Sequence, residues 1–406
     1  MALLILWAME KATPVILTVN CGSSSLKFGL FGRADPPGSL LTGEIRDIGI
    51  DEGRIQVKDA AGHTLQESRQ TVADMDAAVN QLIHLLGEHF SEYVVQAIGH
   101  RVVQGGTRHM EPEAVTDELL ASLDTLISLA PAHLPAELAA IRAFAKVFPD
   151  AVQIACFDTA FHRHMPFPAR HYALPRGLWE QGLLRYGFHG LSYEHILQQL
   201  RQMAPEQADG RIIMAHLGNG ASMAAVHKGI SIDTTMGLTP AGGLVMSTRP
   251  GDMDPGVILY LLKEKKLDAA VLNELLNKQA GLKAVSGSES DIQKLQAAAP
   301  ADTQAAEAVT LFCYQARKFV GALAAALGGL DTFIFTGGIG EHAPAIRHRI
   351  CEGLAFLGMH LDAARNEAQA AVISPEGSPV TIWVIPANEE LQIAQHAQNW
   401  LQEHLK

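Results

Sequence analysis

Twice along this chain a β-branched strand runs into a turn of glycine, serine and asparagine and comes straight back as a second strand. Val15–Asn20 leads into Cys21-Gly-Ser-Ser-Ser25 and returns as Leu26–Phe31. Arg211–His216 leads into Leu217-Gly-Asn-Gly-Ala-Ser222 and returns as Met223–His227, with Ile230–Asp233 as a third strand. Apolar runs bounded by turn-forming residues are the signature of hairpins. After each hairpin the pattern changes to strands alternating with helices. The first half continues with one or two strands in Gly43–Val57, then a helix opened by Asp76 with Val79, Leu82, Ile83, Leu86 and Phe90 on one face. A strand Val94–Val103 ends at Gln104-Gly-Gly106, Thr116 caps a helix, and Pro131 and Pro135 precede another at about 136–146. A buried strand, Val152–Phe157, runs into Asp158. The second half continues with helices near 255–264, 268–279 and 303–326, a strand Thr332–Phe335 entering Thr336-Gly-Gly-Ile-Gly340, a helix near 344–356, a strand Thr381–Ile385 and a helix at 390–404. This layout predicts a duplicated α/β fold, two related domains facing across a cleft. Residues 1–157 with 390–406 would form one domain, and 158–389 the other.

Composition narrows the function. Of 406 residues, 48% are hydrophobic and 18% charged, enough for large cores in two or three domains or one duplicated unit. The net charge of −12 gives no general attraction to nucleic acid or an anionic membrane. Local phosphate binding by arginines or helix N-termini stays open. Cys21, Cys156, Cys313 and Cys351 are far apart and form no C-x-x-C pair, which argues against a disulfide framework or zinc and suits a reducing cytoplasm. The apolar start Met1–Met9 has no basic region before it and no cleavage site after it, so it does not read as a signal peptide; Met9 is an alternative start. No stretch approaches the ~18 apolar residues of a membrane span.

Three glycine-rich turns follow strands: Asn20–Ser25, Leu217–Ser222 and Thr336–Gly340. Small residues let backbone N–H groups approach an anion. One such turn is an ordinary hairpin. Three, with Asn20, Ser23, Ser25, Asn219 and Ser222 as further donors, suggest a polyphosphate held between domains. No G-x-x-x-x-G-K-[ST] occurs, so this is not a P-loop enzyme. Arg101, at the end of an apolar strand, and Arg249, in Ser247-Thr-Arg-Pro-Gly-Asp-Met-Asp254, suit grips on carboxylate or phosphate, although each alone could be a structural ion pair. Asp158 and Glu389 end strands, where hard carboxylates serve Mg²⁺ or substrate or else cap helices. Among the histidines, His189 stands out, with glycines either side of Phe188-His189.

These segments resemble the acetate kinase family, which includes propionate and butyrate kinases. The matching stretches are Val19–Lys27, His100–Val103, Phe157–His162, Arg185–Gly190, His216–Ser222, Asp233–Gly237, Gly251–Pro255, Phe335–Glu341 and Asn388–Leu391, in family order over nearly the whole chain. The resemblance implies an actin/sugar-kinase/Hsp70-like (ribonuclease H-like) fold and a homodimer. It implies reversible transfer between ATP and a short carboxylate, giving ADP and an acyl phosphate, with Mg²⁺ or Mn²⁺. On it, Arg101 and Arg249 would flank the carboxylate and the transferring phosphoryl group, with Asp158 nearby holding arginine or metal. His189 and Asn219 would hydrogen-bond the phosphoryl group. His216 would line the phosphate path, Lys27, Leu217, Gly218, Asn219 and Gly220 would join it in binding the nucleotide, and Asn20 and Glu389 would place the metal. The acyl group would sit against Val103, Phe188 and Pro240, and the nucleotide on Asp291, Ile292, Gly338, Ile339 and Gly340.

The chain departs from the family pattern at several positions. Ala132 replaces a larger residue, which would widen the acyl site, and Gln293 and His342 bear on the nucleotide. Gln104, Pro250 and Ala387 replace a frequent His, Ser and Thr. The rivals are a longer-chain acyl kinase or a donor other than ATP, a sugar kinase with Asp158 as base, and a non-catalytic nucleotide-binding regulator. Arg101→Ala and Arg249→Ala are each expected to abolish most turnover and leave the fold intact.

Overall fold

The computed structural model describes residues 13–22, 25–49, 52–89 and 93–404. Met1–Met9, Ser23 and Phe90, all named above, lie outside the described residues. The chain divides into two units: one runs to Ala160 and takes in Asn388 onward, the other is Phe161–Ala387.

In the first unit, β1 (Thr13–Cys21), β2 (Ser25–Gly32) and β3 (Ser39–Arg46) form an antiparallel meander that β4 (Gly53–Asp59) and β5 (Thr64–Gln70) extend. On the other side of β1 lie β6 (Tyr93–Val102) and β8 (Val152–Phe157), parallel to it, with the short β7 (Glu113–Ala114) at the edge. The sheet order is β5-β4-β3-β2-β1-β6-β8-β7. Val15, Ile16 and Leu17 on β1 are all fully buried, as a central strand with both faces covered requires. The cover is helical: α1 (Met75–His89), α2 (Leu134–Val147) and the C-terminal helix Glu389–His404, which packs back on β1 and β6. Each fully buried Leu, Ile or Phe contributes about 1.5–3 kcal/mol relative to exposure.

The second unit holds β9 (Arg211–Leu217), β10 (Ala221–His227), β11 (Ile230–Thr234), β12 (Thr332–Thr336) and β13 (Thr381–Val384), in the order β11-β10-β9-β12-β13. β9, β10 and β11 are antiparallel neighbours, and β12 is parallel to both β9 and β13. Order and strand senses repeat those of β3-β2-β1-β6-β8, so the two units share one ribonuclease H-like layout. Its core includes Tyr193, Ile196 and Leu200 of α3 (Gly190–Met203), and the 25-residue α4 (Thr303–Leu327) crosses β10 and β11.

The structure differs from the sequence reading in particulars. β5 is an additional strand. Residues 337–342 form a short helix rather than an open turn. The segment read as one helix at 268–279 is Ala269–Glu274 followed by a π-turn, Leu275–Gln279. Asp158 and Glu389 fall in the first unit, because Asp158 N–H bonds Val102 O at 2.9 Å and Glu389 opens the returning helix. Among the described residues no helix is long and apolar enough to cross a membrane.

Candidate active site

In the first unit the expected site residues gather at the C-terminal ends of the parallel strands β1, β6 and β8, where α/β sheets present their ligands. Arg101 is the penultimate residue of β6 and Asp158 directly follows β8. Arg101 Nη2 donates to Asp158 Oδ2 at 2.7 Å, and its Nη1 lies 3.5 Å from Glu137 Oε1. Both carboxylate side chains are fully buried, whereas 13% of the arginine side chain is exposed. Burial works against the guanidinium charge, but Asp158, Glu137 and Glu389 together outweigh it and hold Arg101 ionised. Glu137 Oε2 also accepts the Val103 N–H at 2.9 Å. Burial pushes the Glu137 carboxyl up to about 7; the Asp158 charge adds to this, and Arg101 and the Val103 N–H oppose it. Asp158 is thus the ion-pair partner of Arg101, which leaves it poorly placed to serve as the base of an alcohol kinase.

Asn20 Nδ2 donates to Glu389 Oε2 at 3.1 Å. Lys27 is exposed, directly across from Asn20 on β2. Among the described residues no group of three or more His, Cys, Asp or Glu could hold a metal. Mg²⁺ asks for less, namely one or two protein oxygens with water and phosphate completing its shell. The Asn20 amide oxygen and the Glu389 carboxylate are hard donors of that kind, so the residues present fit. His100 is structural: it bonds Gln153 Oε1 at 2.6 Å, and burial pushes it down to about 4.

In the second unit the centre is the β9–β10 hairpin. His189 sits at the N-cap of α3 with a left-handed backbone, φ 59°. Its Nδ1 hydrogen-bonds Ser222 Oγ at 2.9 Å, and that hydroxyl also meets Tyr193 OH at 2.6 Å. The His216 ring stacks on His189 with centroids 4.2 Å apart, and its Nδ1 bonds Ser192 Oγ at 2.8 Å. This directs His189 Nε2 to Gly220, where a Cβ would lie 3.4 Å from it and 3.0 Å from Arg249 Nη2. Two nitrogen-bearing side chains therefore converge on one bare hairpin glycine. Arg249 Nη1 donates to Pro240 O at 2.6 Å. Asn219, exposed at the hairpin tip, accepts the Ser247 N–H on its carbonyl at 3.2 Å and the Ser247 hydroxyl on Oδ1 at 3.3 Å. The hairpin, closed by Gly218 N–H to Gly220 O at 3.0 Å, is thereby tied to the loop that carries Arg249.

Other expected residues are placed less openly. Val103 and Phe188 are both only 1% exposed, and the Phe188 carbonyl bonds His162 Nε2 at 3.1 Å; Pro240 is half-buried. Leu217 is buried under the hairpin. The Asp291 carboxylate caps the helix Ile292–Ala298 by accepting the Gln293 N–H at 2.8 Å. Ile292 is 3% exposed, so its side chain belongs to the interior and only its backbone is left for contact with a ligand. Gly338 is exposed with open space around it, Ile339 is half-buried and Gly340 buried. Ala132, Gln293 and His342 are all exposed.

Three residues escape the sequence reading. Glu137 shares the buried face of α2 with Leu134, Leu138, Ile141 and Phe144. A carboxylate at an apolar helical position was the signal that could have exposed it. Gly281, at φ 66°, lies against the Arg249 backbone. Arg347, fully buried, donates to the Gly340 and Glu341 carbonyls at 2.9 and 2.7 Å and fixes the end of the 337–342 helix.

The sequence matches the Acetokinase family model over residues 15–395. It is 44% identical to an acetate kinase of Methylocella silvestris, over 94% of this chain and 96% of that one, and 46% identical to one of Rhodopseudomonas palustris, over 94% and 97%. The fold is similar to that of a Porphyromonas gingivalis acetate kinase (TM-score 0.85, 35% identity, 96% of this chain and 100% of that one). It is also similar to that of a Francisella tularensis propionate kinase (TM-score 0.88, 37% identity, 95% and 99%). A family match over almost the whole chain and relatives above 40% identity at full length lead to one conclusion: this chain belongs to the acetokinase family and is a phosphotransferase.

Proposed function

We propose that the chain is an acetate kinase, transferring the γ-phosphoryl group of ATP reversibly and in line to acetate, with acetyl phosphate and ADP as products. The observation that carries the reading is the convergence of His189 Nε2 and Arg249 Nη2 on Gly220, in a member of this family. Acetate, with a pKa of roughly 4, is ionised at neutral pH and needs no general base. The barrier is repulsion between two anions, so the work falls on positioning and charge neutralisation. A carboxylate oxygen forms the new bond to phosphorus as the bond to the ADP oxygen breaks. Arg101 would meet the carboxylate, its guanidinium held by Asp158. Arg249, His189 and Asn219 would hold the phosphoryl oxygens. Mg²⁺ or Mn²⁺, held by Asn20 and Glu389, would supply further neutralisation of phosphate charge.

Trapping acyl phosphate with hydroxylamine, with Mg-ATP and equal acetate, propionate and butyrate, tests this. The expected result is hydroxamate formed fastest from acetate. Product from none of the acids would overturn the reading. Propionate is the second reading, favoured by the likeness to the propionate kinase. One missing methylene in a binding site shifts preference by only ~1–3 kcal/mol, so kcat/KM for each acid decides between them.

The reading includes a homodimer and a cytoplasmic location. In support, the helix Pro255–Lys263 buries none of its side chains, and Leu259 and Tyr260 are 54% and 53% exposed. Such an apolar face suits a second copy. Sedimentation should give a dimer, and Leu259→Glu with Tyr260→Glu a folded monomer. A monomer at micromolar concentration in the unsubstituted protein would remove the proposal. All four cysteines are buried and free, as a reducing compartment favours.

A further inference from the structure

We infer that Glu137 is a positioning residue for Arg101 and Val103, and that its protonation sets how tightly the enzyme binds its carboxylate substrate. The inference rests on the carboxylate-kinase reading above and extends it to a residue outside that mechanism.

The geometry is specific. Glu137 stands on the buried face of α2, where its neighbours on that face are Leu134, Leu138, Ile141 and Phe144. Its two oxygens are used differently. Oε2 takes the Val103 backbone N–H at 2.9 Å, and Oε1 lies 3.5 Å from Arg101 Nη1 with no hydrogen bond. One carboxyl group therefore ties together the two residues proposed to receive the carboxylate head and its acyl chain. An ordinary structural ion pair would be satisfied by Asp158 alone, which already meets Nη2 at 2.7 Å.

The charges around Glu137 come from several elements. Arg101 faces it from β6, Asp158 from the end of β8, and Cys21 from the end of β1. The Cys21 thiol is held neutral by burial. Glu389, on the C-terminal helix, acts on Arg101 itself. With Asp158 and Glu137 both ionised, two buried carboxylates share one guanidinium and the group carries a net negative charge, which repels an anionic substrate. Protonation of Glu137 leaves a neutral Arg101–Asp158 pair, with the Nη1 edge free for the substrate carboxylate. Burial brings the Glu137 titration to about 7, within the working range of an enzyme.

The test is the pH profile of KM for acetate, measured against kcat. In the unsubstituted enzyme KM should rise with pH above the titration of Glu137, by up to about tenfold per pH unit, while kcat changes little. Glu137→Gln keeps an oxygen for the Val103 N–H and cannot ionise. Its KM should stay flat across neutrality, near the low-pH value of the parent. A Gln variant whose KM still climbs with the parent would overturn the inference. A merely structural Glu137 would change stability and leave the shape of the profile alone. The infrared stretch of a buried protonated carboxyl provides a readout without turnover. It should disappear near neutrality in the parent and be missing in Glu137→Gln; no such band in the parent overturns the inference. Failure to make acyl phosphate would instead overturn the kinase reading. If Glu137→Gln does not fold, Asp158→Asn serves: loss of that neighbouring charge should move the infrared midpoint to lower pH, and an unmoved midpoint refutes the coupling.

Discussion

Arg101→Ala is expected to lower kcat for acyl phosphate formation about a thousandfold or more, the scale of arginines that neutralise phosphoryl transfer. The same change should also lower stability, and here the structure revises the expectation from sequence that the fold is left intact. Arg101 lies between Asp158 and Glu137, whose side chains are fully buried. Without the guanidinium, two carboxyl groups are stranded away from water. Breaking a buried pair costs about 3–5 kcal/mol. Glu137, already pushed up to about 7, escapes part of that cost by staying protonated, so the lower end of the range is expected. Urea unfolding alongside steady-state kinetics separates the two effects. Adding Asp158→Asn to Arg101→Ala should recover stability and leave activity lost. Recovery of both, or near-parental turnover in folded Arg101→Ala, would remove Arg101 from the proposed chemistry.

That revision shows where sequence reading stops. The hairpins β1–β2 and β9–β10 are legible because alternation and turn residues are local signals. So is the placing of Arg101 and Asp158, since strand ends can be read from where apolar runs stop. β5 is not legible in the sequence because Thr64–Gln70 is polar and mostly exposed, and an edge strand of that kind has no apolar alternation to betray it. The run Thr336–Gly340 reads as a turn by composition. The carbonyls at the end of its helix are held by Arg347, a residue that looks like surface charge until its burial is seen. Glu137 is hidden in the same way: an acidic residue in the first turn of a helix is usually solvated and dipole-stabilised. What decides its role is the partner it finds on β6, which local sequence cannot state. The nucleotide-facing assignments rest on resemblance, and for Ile292 the buried side chain narrows the assignment to backbone.

Gly281→Ala is expected to lose about a hundredfold in activity although residue 281 carries no chemistry. The loop presenting Arg249 is held by the start of the helix Gly281–Ser286: Leu282 N–H donates to Met246 O at 2.9 Å, Lys283 N–H to Ser247 O at 3.0 Å and Ala280 N–H to Thr248 O at 3.2 Å. Gly281 itself has φ 66°, and a Cβ there would come 2.2 Å from Met246 O and 2.7 Å from both N and O of Arg249. All three are backbone atoms, so no rotamer change can relieve the clash and the loop must shift. A displacement on the order of 1 Å at a reacting group costs roughly 10²-fold. The left-handed backbone adds about 1–2 kcal/mol of strain for alanine. Gly321→Ala is the matched control, because it lies inside α4 with open space around its Cβ. It should stabilise by about 0.5–1 kcal/mol and leave turnover unchanged. If the Gly281 change acts by moving Arg249, the two substitutions cannot add: Gly281→Ala combined with Arg249→Ala should be little worse than Arg249→Ala alone, which is expected to lose about a thousandfold. Full additivity would mean that Gly281 acts elsewhere, and that the close backbone packing under Arg249 has no part in holding the arginine at its hairpin.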